Sequence, residues 1–391
     1  MTIAWMLVLF FVLMGLGMPI GFCLGLAAIA KVFLDGQVPV LILAQQVYEA
    51  LDNFSLLAIP LFVLAGELMG VAGITERLVN LSRALIGHFR GGLAQANILT
   101  NMFMGAISGS ALADLTAIGS MMIPAMKREG YRPAFAVAVT ACAAMMAPII
   151  PPSIIAVIYG SVTGVSIGAL FMGGVIPGIL AGLAMLMLVW YMAPSVGARP
   201  SPKASWGERG RVTLQAMPAI LMPLIIIGGI LSGVFTPTEA GAVAALYALL
   251  FGLLRRQHSA RSLYENFAAA SFTTASALIT LAGAGLFSWV LSRAGVGQAA
   301  LQLMLSITSD PKLAMLVLIL FFFDGHFFRA GARPDHRGAH HGPADRPPGL
   351  RPGALWHCGD HAAGAGLGHA ARGHTGHGGL QNCGYHLWAV A

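Results

Sequence analysis

The chain has 391 residues, 57% of them hydrophobic and 9% charged, with a mean hydropathy of +0.78. Soluble domains carry roughly 25% charged residues, so a water-soluble globular protein is excluded. Its net charge of +7 is spread over the connections between apolar runs, which excludes the clustered basic face of a nucleic-acid binder.

The apolar runs are continuous, whereas a membrane β-barrel alternates polarity in segments of about 10 residues. The expected class is therefore all-α, a polytopic helical membrane protein. The N-terminal run MTIAWMLVLFFVLMGLGMPIGFCLGLAAIA has no basic n-region, so it reads as a retained first helix over about 3–30, not a cleaved signal. Further spans are expected at about 53–73, 166–193, 214–233, 238–254 and 266–290, each near the 20 residues a bilayer requires.

The segment 75–90 differs. ITERLVNLSRALIGHF gathers Leu78, Leu81, Leu85 and Ile86 on one side with Arg77, Arg83 and Arg90 elsewhere, an interfacial amphipathic pattern. Residues 294–308 read as a weaker second copy.

Two places interrupt apolar sequence at membrane depth. In 92–126, Ser108-Gly109-Ser110 separates two arms of roughly 16 residues. At 1.5 Å per residue each reaches about 24 Å, short of the roughly 30 Å core. Two short arms meeting at a Gly/Ser tip fit a re-entrant hairpin; a full helix with small packing residues is the alternative. In 134–163, Pro148, Pro151 and Pro152 break a second helix. Hydrocarbon cannot satisfy free backbone groups, so such breaks persist only where protein or a wet cavity shelters them. Secondary transporters build midplane sites this way.

Charge then orients the chain. With the hairpin open to the cytoplasm, Lys127, Arg128 and Arg132 are inside. So are Arg199, Lys203, Arg209 and Arg211, and so are Arg255, Arg256 and Arg261, as the positive-inside rule requires. The N-terminus is expected on the cytoplasmic side too.

Several single residues stand out. Asp114 is either functional, as intramembrane ionisable groups usually are, or a cap on the second hairpin arm. Thr236-Pro237-Thr238-Glu239 reads as a capping box. Glu67 reads as interfacial or as a scaffold contact. Asn97 and Asn101 share one face and suit helix–helix hydrogen bonding. No intramembrane catalytic set appears: His88 and His258 are the histidines of the first 323 residues, and neither has metal spacing. The four cysteines, Cys23, Cys142, Cys358 and Cys383, form neither a disulfide framework nor a zinc pattern.

From about Phe323 the composition changes. Residues 325–391 hold ten of the twelve His and fifteen of the Gly, with no Ile, Met, Ser, Lys or Glu. The histidine spacing is irregular for a metal tail, and the composition is unlike ordinary disorder. The expected reading is a frameshifted, non-native and disordered tail over 324–391.

The runs GGLAQANILTNMFMGAISGSALADLTAIGSMMIPAMKREGY, APIIPPSIIAVIYGSVTGVSIGALFMGGVIPGIL and GGILSGVFTPTEAGAVAALYALLFG resemble the large membrane subunit of tripartite ATP-independent periplasmic (TRAP) transporters, the DctM type, over about residues 1–323. The resemblance implies a bacterial inner-membrane permease rather than an enzyme. It implies sodium-coupled import of an organic anion, often a C4-dicarboxylate or sugar acid. The implied partners are a small membrane subunit of DctQ type and a periplasmic binding protein of DctP type, with no cofactor beyond Na⁺ as coupling ion. The implied fold is two inverted repeats, each with a hairpin and a broken helix, moving as an elevator. Here LAMLVLILFFFDG opens the second hairpin and the pattern then stops, leaving the second repeat incomplete. Carried onto this chain, the substrate-binding residues are Ser108, Gly109, Ser110, Asp114 and Pro152. The Na⁺ site is Ser108 and Ser110 with carbonyls at Ala147, Pro148 and Pro151. The alternatives are a truncated, non-functional permease fragment and a single-component sodium/dicarboxylate symporter.

Overall fold

The computed structural model describes residues 3–36, 38–196, 202–310 and 312–320. The described residues are helical, with no strands. The chain divides into two units, Met1–Leu303 and Met304–Ala391. In the second, a helix at Lys312–Leu320 is described, and the expectation for 324–391 lies outside the described residues.

Five segments of the first unit are long and apolar enough to cross a bilayer. The first is a 3-10 turn at Phe54–Leu57 continued by α4 (Ala58–Val71). The others are α10 (Ile167–Met192), α11 (Trp206–Leu231), α12 (Pro237–Leu254) and α13 (Ala260–Arg293). These match the expected spans, although α11 and α13 begin earlier because their polar first turns continue the helix into the interface. Ser205 and Ser259 cap those starts, accepting from the backbone N–H of Glu208 and Ser262.

The expected helix over 3–30 is instead two helices, α1 (Ile3–Gly15) and α2 (Ile20–Asp35). Gly17 takes a left-handed φ of 81° and Pro19 precedes the first turn of α2. The two arms fold back on each other. Gly21 and Gly25 of α2 lie against Thr280 and Gly283 of α13, while Phe10 of α1 meets Phe287 at 5.9 Å. Thus α2 runs parallel to α13 and α1 runs against both. A third helix that the sequence reading passed over, α3 (Val40–Leu51), also packs on α13.

The amphipathic segment is α5 (Ile74–Ile86). Its apolar face, with Leu78 and Leu81 buried, is covered by α11 and by α6 (Gly92–Ser108), so protein rather than lipid receives it. Its later counterpart, α14 (Val296–Ile307), is helical but buries none of its side chains.

Two helix pairs form the broadest contacts, α12 with α4 and α2 with α13. Thr238 donates to the Phe54 carbonyl at 3.1 Å, and Gly241 faces Ala58 and Leu61, so α12 and α4 are parallel. Gly73, just past α4, lies by Gln257, just past α12. Because α13 leaves that same end, the α2/α13 pair runs opposite to the α4/α12 pair.

The membrane faces follow. Arg77 donates to the Gln215 carbonyl and stacks on Phe251, and Arg83 reaches Glu129. These contacts bring Lys127, Arg128, Lys203, Arg211, Arg255 and Arg261 to one face, the cytoplasmic one by the positive-inside rule. Arg199 lies outside the described residues. Since α13 runs outward and α1 antiparallel to it, Ile3 lies toward the outer face. The expectation of a cytoplasmic N-terminus is therefore overturned, because the break at 16–19 reverses the chain.

Candidate functional site

The interrupted segment 92–126 is a hairpin of α6 and α7 (Ala111–Arg128). Its arms are antiparallel: Asn97 near the start of α6 touches Met126 near the end of α7. Asn97 also donates to Thr140 Oγ1 at 2.6 Å, and Asn101 to the Asn97 carbonyl at 2.9 Å. The Asn97 amide thus ties the hairpin to its neighbour α8 (Pro133–Ala144), and Asn101 holds Asn97 from within α6.

The tip is built from its own sequence. Gly109 ends α6 with φ 59°, a left-handed conformation that glycine adopts at little cost. Ser110 caps α7, its hydroxyl accepting from Ala113 N–H at 3.4 Å. Ser110, not Asp114, is therefore the cap. Asp114 is fully buried behind the tip, where Ser108 Oγ donates to Oδ1 at 2.6 Å and Oδ2 has no hydrogen-bond partner among the described residues.

The second break separates α8 from α9 (Ile154–Thr163). Pro151 and Pro152 are joined by a cis peptide bond. Ser153 closes the gap at both ends: its hydroxyl donates to the Pro148 carbonyl at 2.6 Å and accepts from Ala156 N–H at 3.2 Å. The carbonyls of Ala147, Pro151 and Pro152 accept no hydrogen bond from the described residues.

These two breaks meet. A Cβ on Gly105 would stand 2.8 Å from the Ala147 Cα, and one on Gly109 would overlap the Pro152 carbonyl oxygen. Two helix starts, at Ser110 and Ser153, thus converge beside the open carbonyls and beside the hydroxyls of Ser108 and Ser110. Helix N-termini attract anions, and hard oxygens suit a hard cation.

Beside the tip lies a cavity of about 610 Å³. Ser108 and Ser110 line it, together with Thr116 and Ser120 of α7, Glu67 of α4 and Thr273 of α13. It extends along α7 toward the face that carries Lys127. Gly109 and Pro152 sit at the contact between the two breaks, Ala147 packs under Gly105, and Pro151 lies toward Gly174 of α10. Ser108 and Ser110 are therefore the expected residues that reach the cavity. Sequence reasoning missed Thr116 and Ser120, although Leu112, Thr116 and Ser120 recur at i, i+4, i+8 on one face. Glu67, expected to be interfacial or a scaffold contact, stands in the cavity wall, and no local signal marks Thr273.

The comparison with known proteins is decisive at this point. The family model for the tripartite ATP-independent periplasmic transporter, DctM component, matches residues 7–331. This chain belongs to that family. Among its relatives, the sialic acid TRAP transporter large permease protein SiaM of Vibrio cholerae is 39% identical over 316 residues, 80% of this chain and 74% of that protein. The 2,3-diketo-L-gulonate TRAP transporter large permease protein YiaN of Escherichia coli is 37% identical over 306 residues, 78% and 72% of the two chains. The C4-dicarboxylate TRAP transporter large permease protein DctM of Pseudomonas aeruginosa is 37% identical over 316 residues, 79% and 73%. The protein is a TRAP large permease, a multi-pass inner-membrane transport component and not an enzyme.

Proposed function

We propose that this permease imports an organic anion, a C4-dicarboxylate or related carboxylate, coupled to Na⁺ by alternating access. It acts with a small membrane subunit and a periplasmic binding protein that delivers the substrate. The named substrates of the relatives above are all organic acids, which supports the class without choosing its member.

One observation carries the reading: the hairpin tip and the proline break meet, with Gly109 against Pro152. That contact gathers hydroxyls, unpaired carbonyls and two helix N-termini inside a membrane protein. Sodium is a hard cation and takes hydroxyl and carbonyl oxygens, here Ser108, Ser110 and carbonyls of the 147–152 stretch. An anion's carboxylate is stabilised by the starts of α7 and α9. The cavity along Thr116 and Ser120 is the path toward the cytoplasmic face. Binding cation and anion at one tip links their occupancies, because each lowers the electrostatic cost of the other.

The test is uptake of labelled dicarboxylates and sugar acids into proteoliposomes holding this chain and its small subunit, with an imposed Na⁺ gradient. Uptake should require both the gradient and added binding protein. Uptake without the binding protein would identify a single-component symporter instead. Indifference to the gradient would remove Na⁺ from the mechanism.

A further inference from the structure

The cavity beside the hairpin tip has a polarity that transport of an organic anion does not by itself require. On the transport reading above, one substrate carboxylate sits at the starts of α7 and α9 with Na⁺ beside it. The rest of the substrate then lies along the cavity wall.

That wall accepts hydrogen bonds but offers few. Thr116 and Ser120 stand four residues apart on α7, both exposed on its cavity side. Their hydrogens are already committed: Thr116 Oγ1 donates to the Leu112 carbonyl, and Ser120 Oγ donates to the Ala117 carbonyl at 2.9 Å. What each hydroxyl keeps for a ligand is a lone pair. Glu67 of α4 adds a carboxylate, which when ionised also only accepts. Among the described residues no Lys, Arg or His lines the cavity, and the carboxylate of Asp114 is buried behind the tip.

A second substrate carboxylate is poorly served by such a wall. It meets acceptors where it needs donors, and Glu67 is a like charge. Gly66 packs on Ser108, a Cβ there standing 3.4 Å from the Ser108 Cα, so Glu67 follows directly beside the tip. A short diacid anchored at the tip therefore holds its second carboxylate near Glu67. A hydroxylated chain meets no such conflict, because its O–H groups donate to the waiting lone pairs. Length agrees as well. Thr116 and Ser120 lie about 9 and 15 Å along α7 from Ser110, whereas a chain advances roughly 3.5 Å per three bonds. Four carbons end well short of Thr116, and longer chains approach it.

We propose that this cavity selects a monocarboxylate with a hydroxylated chain, a sugar acid, over a C4-dicarboxylate. Glu67 excludes the second carboxylate, and Thr116 and Ser120 accept from the substrate's hydroxyls.

The experiment is equilibrium binding of labelled D-glucuronate and labelled succinate to the purified full chain in Na⁺, without binding protein, so that the permease alone is read. D-Glucuronate should bind about tenfold tighter than succinate, the scale on which unmatched polar groups reject a ligand. Glu67→Gln should tighten succinate about tenfold and D-glucuronate about threefold at most. Thr116→Val/Ser120→Ala should weaken D-glucuronate about fivefold with the thermal midpoint unchanged. Succinate binding as tightly as D-glucuronate to the parent would overturn the selectivity, and so would Glu67→Gln tightening both acids alike. Tighter binding of the zwitterion 4-aminobutyrate than of D-glucuronate would also overturn it, by placing an ammonium at Glu67. If neither acid binds in Na⁺, the transport reading itself falls and the selectivity with it.

Discussion

The Ser108 hydroxyl donates to Asp114 Oδ1 at 2.6 Å, and the other carboxylate oxygen is buried with no partner among the described residues. One hydroxyl thus holds an acidic group in place immediately under a hairpin tip that faces a cavity. Removing it leaves a buried carboxyl without its donor, which costs roughly 1–3 kcal/mol. Ser108→Ala should lower the unfolding midpoint by several degrees, whereas Asp114→Asn, which keeps an acceptor for Ser108, should cost less. The two variants are compared by thermal unfolding in detergent. An unchanged midpoint for Ser108→Ala would mean that the bond contributes nothing.

Gly109 combines a positive φ with backbone contact to Pro152. A side chain there incurs about 1–2 kcal/mol for the left-handed conformation and a steric overlap besides. Gly109→Ala should insert into membranes but lose uptake by tenfold or more, with easier proteolysis between the two hairpin arms. Uptake at the parent rate would show that the tip and the break are not held together.

Ser110 both caps α7 and lines the cavity. Loss of an N-cap costs about 1 kcal/mol, so a stability effect must be separated from a transport effect. Ser110→Asn retains a capping oxygen and should keep the parent midpoint. Ser110→Ala combined with Pro151→Ala should abolish Na⁺-dependent uptake while the protein still inserts. Retained sodium dependence in that double variant would remove these residues from the ion site.

Glu67 places a carboxylate in the wall of a cavity proposed to pass an anion. Like charge at partly screened distances is worth on the order of 1 kcal/mol. Glu67→Gln should lower the apparent KM for the anion roughly 3–10-fold, read from initial uptake rates. A rise in KM would instead make Glu67 a group that attracts the coupling cation.

The reversal at 16–19 puts both ends of the α1–α2 pair on the outer face. In a background free of other accessible cysteines, Ala4→Cys and Asp52→Cys should react with a membrane-impermeant maleimide in intact cells. Lys127→Cys should react after the membrane is opened. Labelling of Ala4→Cys only in opened cells would restore a cytoplasmic N-terminus.

The interrupted elements were legible because membranes tolerate so few exceptions. Ser108-Gly109-Ser110 and Pro148 to Pro152 marked both breaks to within a few residues, and Thr236 with Glu239 gave the capping box, whose backbone and side-chain bonds are both present. The break between α1 and α2 carried a signal too, Gly17 followed by Pro19, but continuous apolarity hid it. Helix α3 was lost because Gln45, Gln46 and Glu49 spoil its membrane character, while its packing on α13 is a tertiary fact. The cavity was the least legible feature. Glu67 and Thr273 are brought to the hairpin by the packing of α4 and α13, and nothing local to either residue records that meeting.

At Gly105 with Ala147, and again at Gly109 with Pro152, main chain rests on main chain with no room for a side chain. Surfaces seated that closely cannot slide past one another by even a fraction of a residue without collision. A displacement of the hairpin tip must therefore carry the proline break with it, so that the two shift as one piece. The open space lies elsewhere, along the Thr116 and Ser120 side of α7, where the cavity separates it from Glu67 of α4 and Thr273 of α13.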